Sequence, residues 1–258
     1  MDKVEKTSSE ERGLIEGRNA VQEALRAGKV PEKLYVQEGL RDPAVGSIIS
    51  SAKKKDAVIS YVKKQLLDQM SETGHHQGVI MQCASYTYSR MEDIFRLAEK
   101  RGEAPFIFLL DEIEDPHNLG AIMRTAECAG AHGIIIPKRH SCGLTETVAK
   151  ASAGAIEYMP VAKVTNIAQT IDELKERGIW VAACDMGGTE YYRTDMAGKI
   201  AVVIGSEGFG VSKLVREKCD FVVSMPMVGK ITSLNASNAA AVVIYEIRKQ
   251  RDTRNLHL

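Results

Sequence analysis

Two patterns of hydrophobic and polar residues follow one another along the chain. Over about residues 14–84, short apolar runs alternate with stretches whose apolar positions recur at helical spacing. The stretch GRNAVQEALRAG predicts an amphipathic helix with Val21, Ala24 and Leu25 on one face, and Gly28 ends it. Two more helices and three short strands follow in alternation. Residues 13–85 are therefore predicted to form a small α/β unit.

Denser apolar runs begin at residue 105. The strand candidates, each bounded by glycine, proline or charge, are FIFLLDEI, GIIIP, WVAAC, IAVVIG and FVVSM. Such runs predict strands that are buried on both faces of a mostly parallel sheet. Helix patterns lie between them, and a long helix rich in alanine and valine follows the last strand. We predict an α/β domain over residues 105–258, preceded by a charged linker with a short helix over 86–104.

The first twelve residues, MDKVEKTSSEER, are polar. They lack the apolar centre of a signal peptide, and no apolar run in the chain approaches the roughly 20 residues of a membrane helix. We therefore expect a disordered tail over 1–12 and a cytoplasmic protein with no membrane partner.

The amino-acid composition restricts the kinds of functional site that the chain could contain. The five cysteines are odd in number and form no CxxC pair, and the six histidines form no ligand-spaced set with them. We expect reduced cysteines and no metal. The 34 basic residues balance the 34 acidic ones. Nucleic-acid binders are more often basic overall, which weighs mildly against one, although a local basic patch is compatible with zero net charge.

A glycine-rich stretch, VVIGSEGFGVS, follows one strand candidate. Its glycines, Gly205, Gly208 and Gly210, are spaced G-x-x-G-x-G rather than the G-x-G-x-x-G of dinucleotide-binding loops. Glu207 would repel a pyrophosphate, and no Walker lysine follows. The stretch is either a tight turn that needs glycine for positive φ or a loop for a neutral or cationic ligand.

Two further stretches carry candidate chemistry. In DEIEDPHNLGAIMRTAECAG, Asn118 is a candidate N-cap, and Arg124 is either a solvated arginine or an anchor for an anion at the carboxyl edge of the sheet. Spacing alone favours the solvated arginine. In SMPMVGKITSLNASNAAAVVIYEI, Ser233 and Asn235 either cap the helix or form a set of neutral hydrogen-bonding groups.

Together, and in this order, the three stretches resemble the motifs of the SpoU/TrmH (SPOUT) family of RNA ribose 2'-O-methyltransferases. The resemblance covers residues 105–258. The matching motif residues are Asn118, Gly120 and Arg124 in the first stretch, Gly205, Glu207 and Gly208 in the second, and Pro226, Gly229, Ser233, Leu234 and Asn235 in the third.

The resemblance implies a parallel-sheet domain with a deep trefoil knot, a topology that periodicity does not predict. It implies that S-adenosylmethionine binds in a bent shape at the second and third motifs, and that the chain forms a homodimer through its final helix. The implied cofactor-binding residues are Ile204, Gly205, Gly208, Met225, Met227, Gly229 and Leu234.

The resemblance also places Arg124 at the reaction centre. We interpret Arg124 as a clamp on the phosphate beside the target ribose rather than as a base, because arginine is not readily deprotonated. Asn118, Glu207, Ser233 and Asn235 then orient the substrate, and Glu207 accepts or relays the proton.

The first unit adds to the resemblance. IEGRNAVQEAL and HHQGVIMQ are similar to the L30e/L7Ae-like substrate-binding domain of the subgroup that methylates a guanosine in 23S ribosomal RNA. That subgroup often has Ile-His-Ala-Val where this chain has Arg-Asn-Ala-Val at 18–21. We expect residues 75–77 to face RNA. The alternatives are the same chemistry on transfer RNA and a non-catalytic RNA-binding protein.

Overall fold

The computed structural model describes residues 13–71, 73–83 and 86–255, so the tail predicted over 1–12 lies outside the described residues. The chain divides into two compact units. The first comprises Met1–Thr87 with Gly143–Thr147, and the second comprises Tyr88–Cys142 with Val148–Leu258.

The smaller unit is a four-stranded sheet with helices. Its elements are β1 (Leu14–Glu16), α1 (Arg18–Arg26), β2 (Pro31–Gln37), α2 (Pro43–Lys54), β3 (Val58–Val62), α3 (Lys64–Met70) and β4 (Val79–Cys83). The strand order is β1-β4-β2-β3; β4 pairs antiparallel with β1 and β2, and β2 pairs parallel with β3. Val21, Ala24 and Leu25 of α1 are buried in its core, as the helical spacing predicts.

The loop at residues 75–77 is held by hydrogen bonds to other residues of the smaller unit. The His76 side chain is buried; its Nε2 lies 2.9 Å from the Asp68 carboxylate and its Nδ1 accepts a hydrogen bond from the Gly78 N–H. Gln77 accepts hydrogen bonds from Arg18 through both its side chain and its carbonyl. The expectation that this whole loop faces RNA is wrong for His76, because its ring stabilises the loop; His75 is exposed.

The larger unit is a six-stranded sheet in which every pairing is parallel, in the order β10-β8-β9-β5-β6-β7. Two short 3₁₀ turns, Ala155–Glu157 and Tyr191–Arg193, join its elements. The elements are α4 (Met91–Arg101), β5 (Phe106–Leu110), α5 (Pro116–Cys128), β6 (Gly133–Pro137), α6 (Glu146–Ser152), β7 (Val161–Val164), α7 (Ile167–Glu176), β8 (Trp180–Glu190), β9 (Ile200–Ile204), α8 (Lys213–Lys218), β10 (Phe221–Ser224) and α9 (Ala236–Asn255).

The central strands explain the dense apolar runs. Every residue of β5 and β9 is buried, because helices cover both faces of a parallel sheet. The helix in the predicted linker over 86–104 is α4, and its Ile94 packs into the same core as Ile107 and Ile135. The stretch therefore contributes to the larger unit as well as preceding it.

Arg251 and His132 tie together the amino-terminal ends of the central strands. The Arg251 guanidinium donates to the carbonyls of Ala104 (2.8 Å), Pro105 (3.0 Å) and Gly198 (2.7 Å). His132 is fully buried; its Nδ1 accepts from the Phe106 N–H and its Nε2 lies 3.1 Å from Glu103. Burial lowers the pKa of His132 to about 4, against the opposing attraction of Glu103.

The last described helix, α9, packs on α5. Ala240, Val243 and Ile247 are fully buried, whereas Tyr245 is half exposed. Within the described part of the chain, no helix is long and apolar enough to cross a membrane. The same residues contain no group of three His, Cys, Asp or Glu side chains that could hold a metal ion. All five cysteines lie within this part of the chain, and none of them is in a disulfide.

Candidate functional site

The segments that carry the sequence motifs meet at the carboxyl ends of the parallel strands. Helix α5 follows β5, loop 205–210 follows β9, and segment 225–235 lies between β10 and α9. Open parallel sheets bind their ligands at this edge, because loops and helix starts from several strands converge there.

Loop 205–210 folds back tightly on itself. The N–H groups of Ser206 and Gly210 each donate to the other residue's carbonyl, at 3.1 and 3.0 Å. A Cβ at Gly205 would collide with the backbone of Gly210, and Gly210 has a positive φ of 67°. After the loop, the Ser212 N–H donates to the buried carboxylate of Asp111 at 2.8 Å. Two of the three glycines are thus required by the turn itself, without reference to a phosphate.

Gly208 is different: apart from Gly208 and its two chain neighbours, no heavy atom of the described residues lies within 4 Å of the position that a Cβ would take. The same holds for Gly229 in segment 225–235. Their backbones are open on that side, which is the access that a ligand in close contact with main-chain atoms needs.

Asn118, Glu207 and Asn235 form a closed cluster of hydrogen bonds. The Asn118 amide donates to Glu207 Oε1 at 2.8 Å. The Asn235 amide donates to Asn118 Oδ1 at 3.0 Å and also, at closer range, to the same Glu207 oxygen. One carboxylate oxygen therefore receives two amide donors, while no hydrogen bond from the described residues reaches the other.

The helix caps differ from the sequence expectation. Asp115, not Asn118, caps α5, because its carboxylate accepts from the N–H groups of His117 and Asn118. This releases the Asn118 side chain to reach Glu207. Asn235 Oδ1 accepts from the N–H groups of Ser237 and Asn238 at the start of α9, so Asn235 both caps that helix and joins the cluster. Ser233 lies before the cap and does not form it.

A cavity of about 540 Å³ opens beside this cluster. That volume is within the usual range for small-molecule sites. Glu207 and Ser233 line it, together with all seven residues that the sequence proposed for cofactor binding: Ile204, Gly205, Gly208, Met225, Met227, Gly229 and Leu234.

The middle of β8, where its pairing with β9 ends, forms a wall of the cavity that the sequence analysis did not predict. Cys184 and Asp185 line the cavity there. Asp185 forms an ion pair with Arg216 at 2.9 Å, and its carboxylate also accepts from the Met186 N–H. Burial raises the pKa of the Cys184 thiol to about 12, so it stays protonated. The available signal was the stretch CDMGG at the end of the predicted strand WVAAC, because it is polar and glycine-rich at the ligand-binding edge.

The charges that line the cavity are negative. Among the described residues that line it, Asp185 and Glu207 carry a formal charge and none is lysine or arginine. Because Arg216 balances Asp185, Glu207 is the net charge facing the cavity. This surface suits a ligand with a positive centre and disfavours a di- or triphosphate.

Arg124 does not join the cluster through any hydrogen bond. It lies on α5 six residues after Asn118, about 9 Å further along the helix axis, and its side chain is exposed. Lys230, next to the cavity-lining Gly229, is also exposed. Across residues 13–71, 73–83 and 86–255, neither cation forms a hydrogen bond or an ion pair. Both are therefore available to an anionic partner.

Two protein-family models match this chain. The SpoU rRNA methylase family matches residues 105–245, and the RNA 2'-O ribose methyltransferase substrate-binding domain matches residues 14–89. The chain belongs to the SpoU rRNA methylase family, and it combines the catalytic domain with the substrate-binding domain. Members of this family use S-adenosylmethionine as the methyl donor.

Relatives and solved structures agree with that assignment. YacO of Bacillus subtilis (strain 168), named as a TrmH family tRNA/rRNA methyltransferase, is 51% identical over 246 residues, covering 95% of this chain and 98% of YacO. A Staphylococcus haemolyticus protein of the same family name is 46% identical over 92% of this chain and 96% of its own length. The SpoU methyltransferase AviRb of Streptomyces viridochromogenes, solved with the cofactor AdoMet, shares the fold at 23% identity and a TM-score of 0.59, covering 97% of this chain and 95% of AviRb.

Proposed function

We propose that this protein transfers a methyl group from S-adenosylmethionine to the ribose 2'-hydroxyl of a guanosine in 23S ribosomal RNA. The observation that carries the proposal is the cavity with a net negative lining, placed directly beside the Asn118–Glu207–Asn235 cluster. A small-molecule site and a set of groups able to handle a hydroxyl proton are thus adjacent.

The cavity fits S-adenosylmethionine. When bound, this cofactor supplies an activated methyl group on a positively charged sulfur. Glu207 provides a complementary charge, and the open backbone at Gly208 and Gly229 allows main-chain atoms to contact a flat, neutral adenosine. The exposed apolar side chains of Met227 and Leu234 supply the packing surface.

Glu207 is the candidate acceptor of the ribose proton. Asn118 and Asn235 both donate to its Oε1, which fixes the direction of the carboxylate. Its second oxygen is left to accept a hydrogen bond from the 2'-hydroxyl. Removing that proton as the oxygen attacks, and holding the oxygen in line, are the two tasks left to the protein.

Arg124 is the candidate phosphate clamp. Its guanidinium is exposed and uncommitted among the described residues, and its planar fork matches two phosphate oxygens. A phosphate held there would bring the adjacent ribose towards the cluster. Arg124→Lys keeps the charge but loses the fork, so we expect turnover to fall and S-adenosylhomocysteine binding to remain. Near-wild-type turnover in this variant would contradict a bidentate clamp.

The ribosomal target rests on the smaller unit. Its resemblance to the domain of 23S-specific enzymes and its match to a ribose methyltransferase substrate-binding model favour a structured RNA. The relatives' names include both tRNA and rRNA, and transfer RNA is the second candidate. The cytoplasm is the compartment in which either substrate would be met.

We also propose that the active form is a homodimer whose larger units carry the trefoil knot of the family. Val242 and Tyr245 are exposed apolar side chains on α9, whose opposite face is buried through Ala240, Val243 and Ile247. Exposed apolar side chains of this kind suit a contact with a second copy. Light scattering at micromolar concentration should give twice the mass of the chain, and a monomeric mass would contradict the dimer.

Ribose-methylation mapping tests the function directly. Ribosomal and transfer RNA are compared from cells with the protein, without it, and with a Glu207→Gln copy. Loss of one 2'-O-methylguanosine in 23S RNA, not restored by Glu207→Gln, is the expected result. Loss at a transfer-RNA position would keep the chemistry and replace the substrate. Unchanged methylation at every position would exclude the proposed activity on both RNAs.

A further inference from the structure

Phe209 is itself one of the residues that line the cofactor cavity, yet it is 91% exposed. Single exposed apolar side chains are common and by themselves indicate nothing. Phe209 differs from an ordinary surface residue in two ways: its loop is held by hydrogen bonds, and the segments of its site carry a proton acceptor and unpaired cations.

Hydrogen bonds within the loop fix the backbone that carries the solvent-exposed Phe209 ring. Paired hydrogen bonds between Ser206 and Gly210 close the loop on either side of Phe209. Gly210 packs closely against the Asp185 carboxylate, which Arg216 holds in turn. The ring is therefore presented from a fixed backbone, and little conformational entropy is lost when a partner covers it.

The ring is also next to the proposed chemistry. Phe209 follows Glu207 by two residues, so their Cα atoms lie within about 7.6 Å of each other. Glu207 is bound to Asn118 and Asn235. A ribose whose 2'-hydroxyl reaches Glu207 therefore brings a base, either its own or that of the next nucleotide, within reach of Phe209.

Charge favours nucleic acid as the partner. Arg124 and Lys230 are exposed cations without a hydrogen bond or ion pair among the described residues, and both lie on segments that build the site. Exposed aromatic rings and unpaired cations on the segments of one site are the combination with which proteins bind unpaired nucleotides, the ring stacking on a base and the cations contacting phosphates. An apolar face of a second copy would leave both cations unmatched.

We propose that Phe209 stacks on an unpaired nucleobase of the RNA, at the target nucleotide or next to it, and so sets which nucleotide enters the site. This inference rests on the proposed function, because it requires RNA at this edge of the sheet. Phe209 acts as a positioning residue, since the proton and the methyl group are handled by other groups.

The test compares Phe209→Ala, Phe209→Leu and Phe209→Tyr in the full-length protein. Transfer of tritium from labelled S-adenosylmethionine is measured into deproteinised ribosomal RNA, and separately into bulk transfer RNA, from cells that lack the enzyme. Calorimetry gives the Kd of S-adenosylhomocysteine, and light scattering gives the mass. Tyr158→Ala removes another exposed aromatic side chain of the larger unit, one that does not line the cavity, and serves as the matched control.

Loss of stacking predicts an increase in the KM for RNA of about 5- to 150-fold in the Ala and Leu variants. Tyr should stay near wild type because it keeps an aromatic face. The Kd of S-adenosylhomocysteine, the mass and the Tyr158→Ala kinetics should not change.

Other outcomes overturn the assignment in distinguishable ways. Full activity in Phe209→Leu would mean that no stacking is involved. A change in mass would place the ring against a second copy, and weaker S-adenosylhomocysteine binding would place it over the cofactor. If the wild-type protein labels neither RNA, the proposed function itself fails, and the stacking role falls with it.

Discussion

The polar side chains at the two ends of the parallel sheet differ in burial and in how many of their hydrogen bonds are made within the protein. At the amino-terminal ends of the strands, Arg251 and His132 are buried: Arg251 donates to three backbone carbonyls, and His132 bonds to the Phe106 N–H and to Glu103. At the carboxyl ends, Arg124 is exposed and has no partner among the described residues. Within the same residues, only one of the two Glu207 carboxylate oxygens accepts hydrogen bonds.

This difference separates stability from activity within one domain. A buried polar group contributes to folding only when its hydrogen bonds are made internally. A group that must bind a substrate keeps donors or acceptors that the protein itself does not use. Such a group therefore contributes little to the stability of the folded state. Substitutions of the buried polar side chains at the amino-terminal end should accordingly destabilise the protein, whereas substitutions of the exposed polar side chains at the carboxyl end should inactivate it with little loss of stability.

Glu207→Gln tests the carboxyl end with the largest expected effect. The glutamine carbonyl can still accept from Asn118 and Asn235, but it cannot take a proton at neutral pH. We expect kcat to fall by about 10²- to 10⁴-fold, measured by single-turnover methyl transfer. Tm and S-adenosylhomocysteine affinity should remain close to wild type. Retention of most of the activity would reduce Glu207 to an orienting group.

Arg251→Met tests the amino-terminal end. It removes three charge-assisted hydrogen bonds and leaves the carbonyls of Ala104, Pro105 and Gly198 without that donor. The free energy of unfolding should fall by about 3 kcal/mol, measured by urea denaturation. Arg254→Met, on the same helix but in an exposed pair with Asp195, should change stability by no more than about 0.5 kcal/mol. Equal effects of the two would contradict the comparison.

His132 gives the amino-terminal end a pH dependence. Its folded pKa of about 4 lies below the ordinary value of 6.5, so the unfolded chain binds the proton more readily. Its contribution is complete above pH 6.5 and is lost as the pH falls towards 4, by at most about 3 kcal/mol. Denaturation at several pH values should show this slope, and His132→Gln should flatten it. An unchanged slope would assign the titration to another group.

Gly205→Ala and Gly208→Ala make the smallest change, one methyl group in the same loop. At Gly205 the Cβ meets the Gly210 backbone, so we expect a loss of about 1–3 kcal/mol in stability. At Gly208 nothing lies within 4 Å, and stability should stay within about 0.5 kcal/mol of wild type. S-adenosylhomocysteine binding should still weaken at Gly208, where the cavity wall gains a methyl group. Identical melting curves for the two would contradict the packing of the loop.

Much of the fold could be predicted from local pattern. Strands buried on both faces leave an uninterrupted apolar run, and β5, β6, β8, β9 and β10 all followed from such runs. β1 has only three residues, and β7 carries Lys163 between its apolar positions, so neither leaves a clear pattern. The buried side of α4 was underestimated, because its charged residues outnumber Ile94 and Ala98.

The sequence predicted which residues belong to the site, but it did not predict how their side chains contact one another. Resemblance supplied the seven residues proposed for the cofactor, and the cavity contains all of them. The bonds among Asn118, Glu207 and Asn235 join positions up to 117 residues apart, and no local rule places them together. Asn118 was expected to act as a cap because its position relative to the helix start could not be fixed to within a turn.

Helix α9 contributes to both ends of the sheet. Asn235, which caps its start, completes the amide cluster, and Arg251, near its other end, binds the carbonyls at the strand starts. During synthesis, a nascent chain that has emerged only as far as β10 holds the whole sheet but neither of these contacts. Synthesis of this helix therefore adds contacts at both ends of the sheet together, and a chain that stops at β10 lacks part of the proposed site.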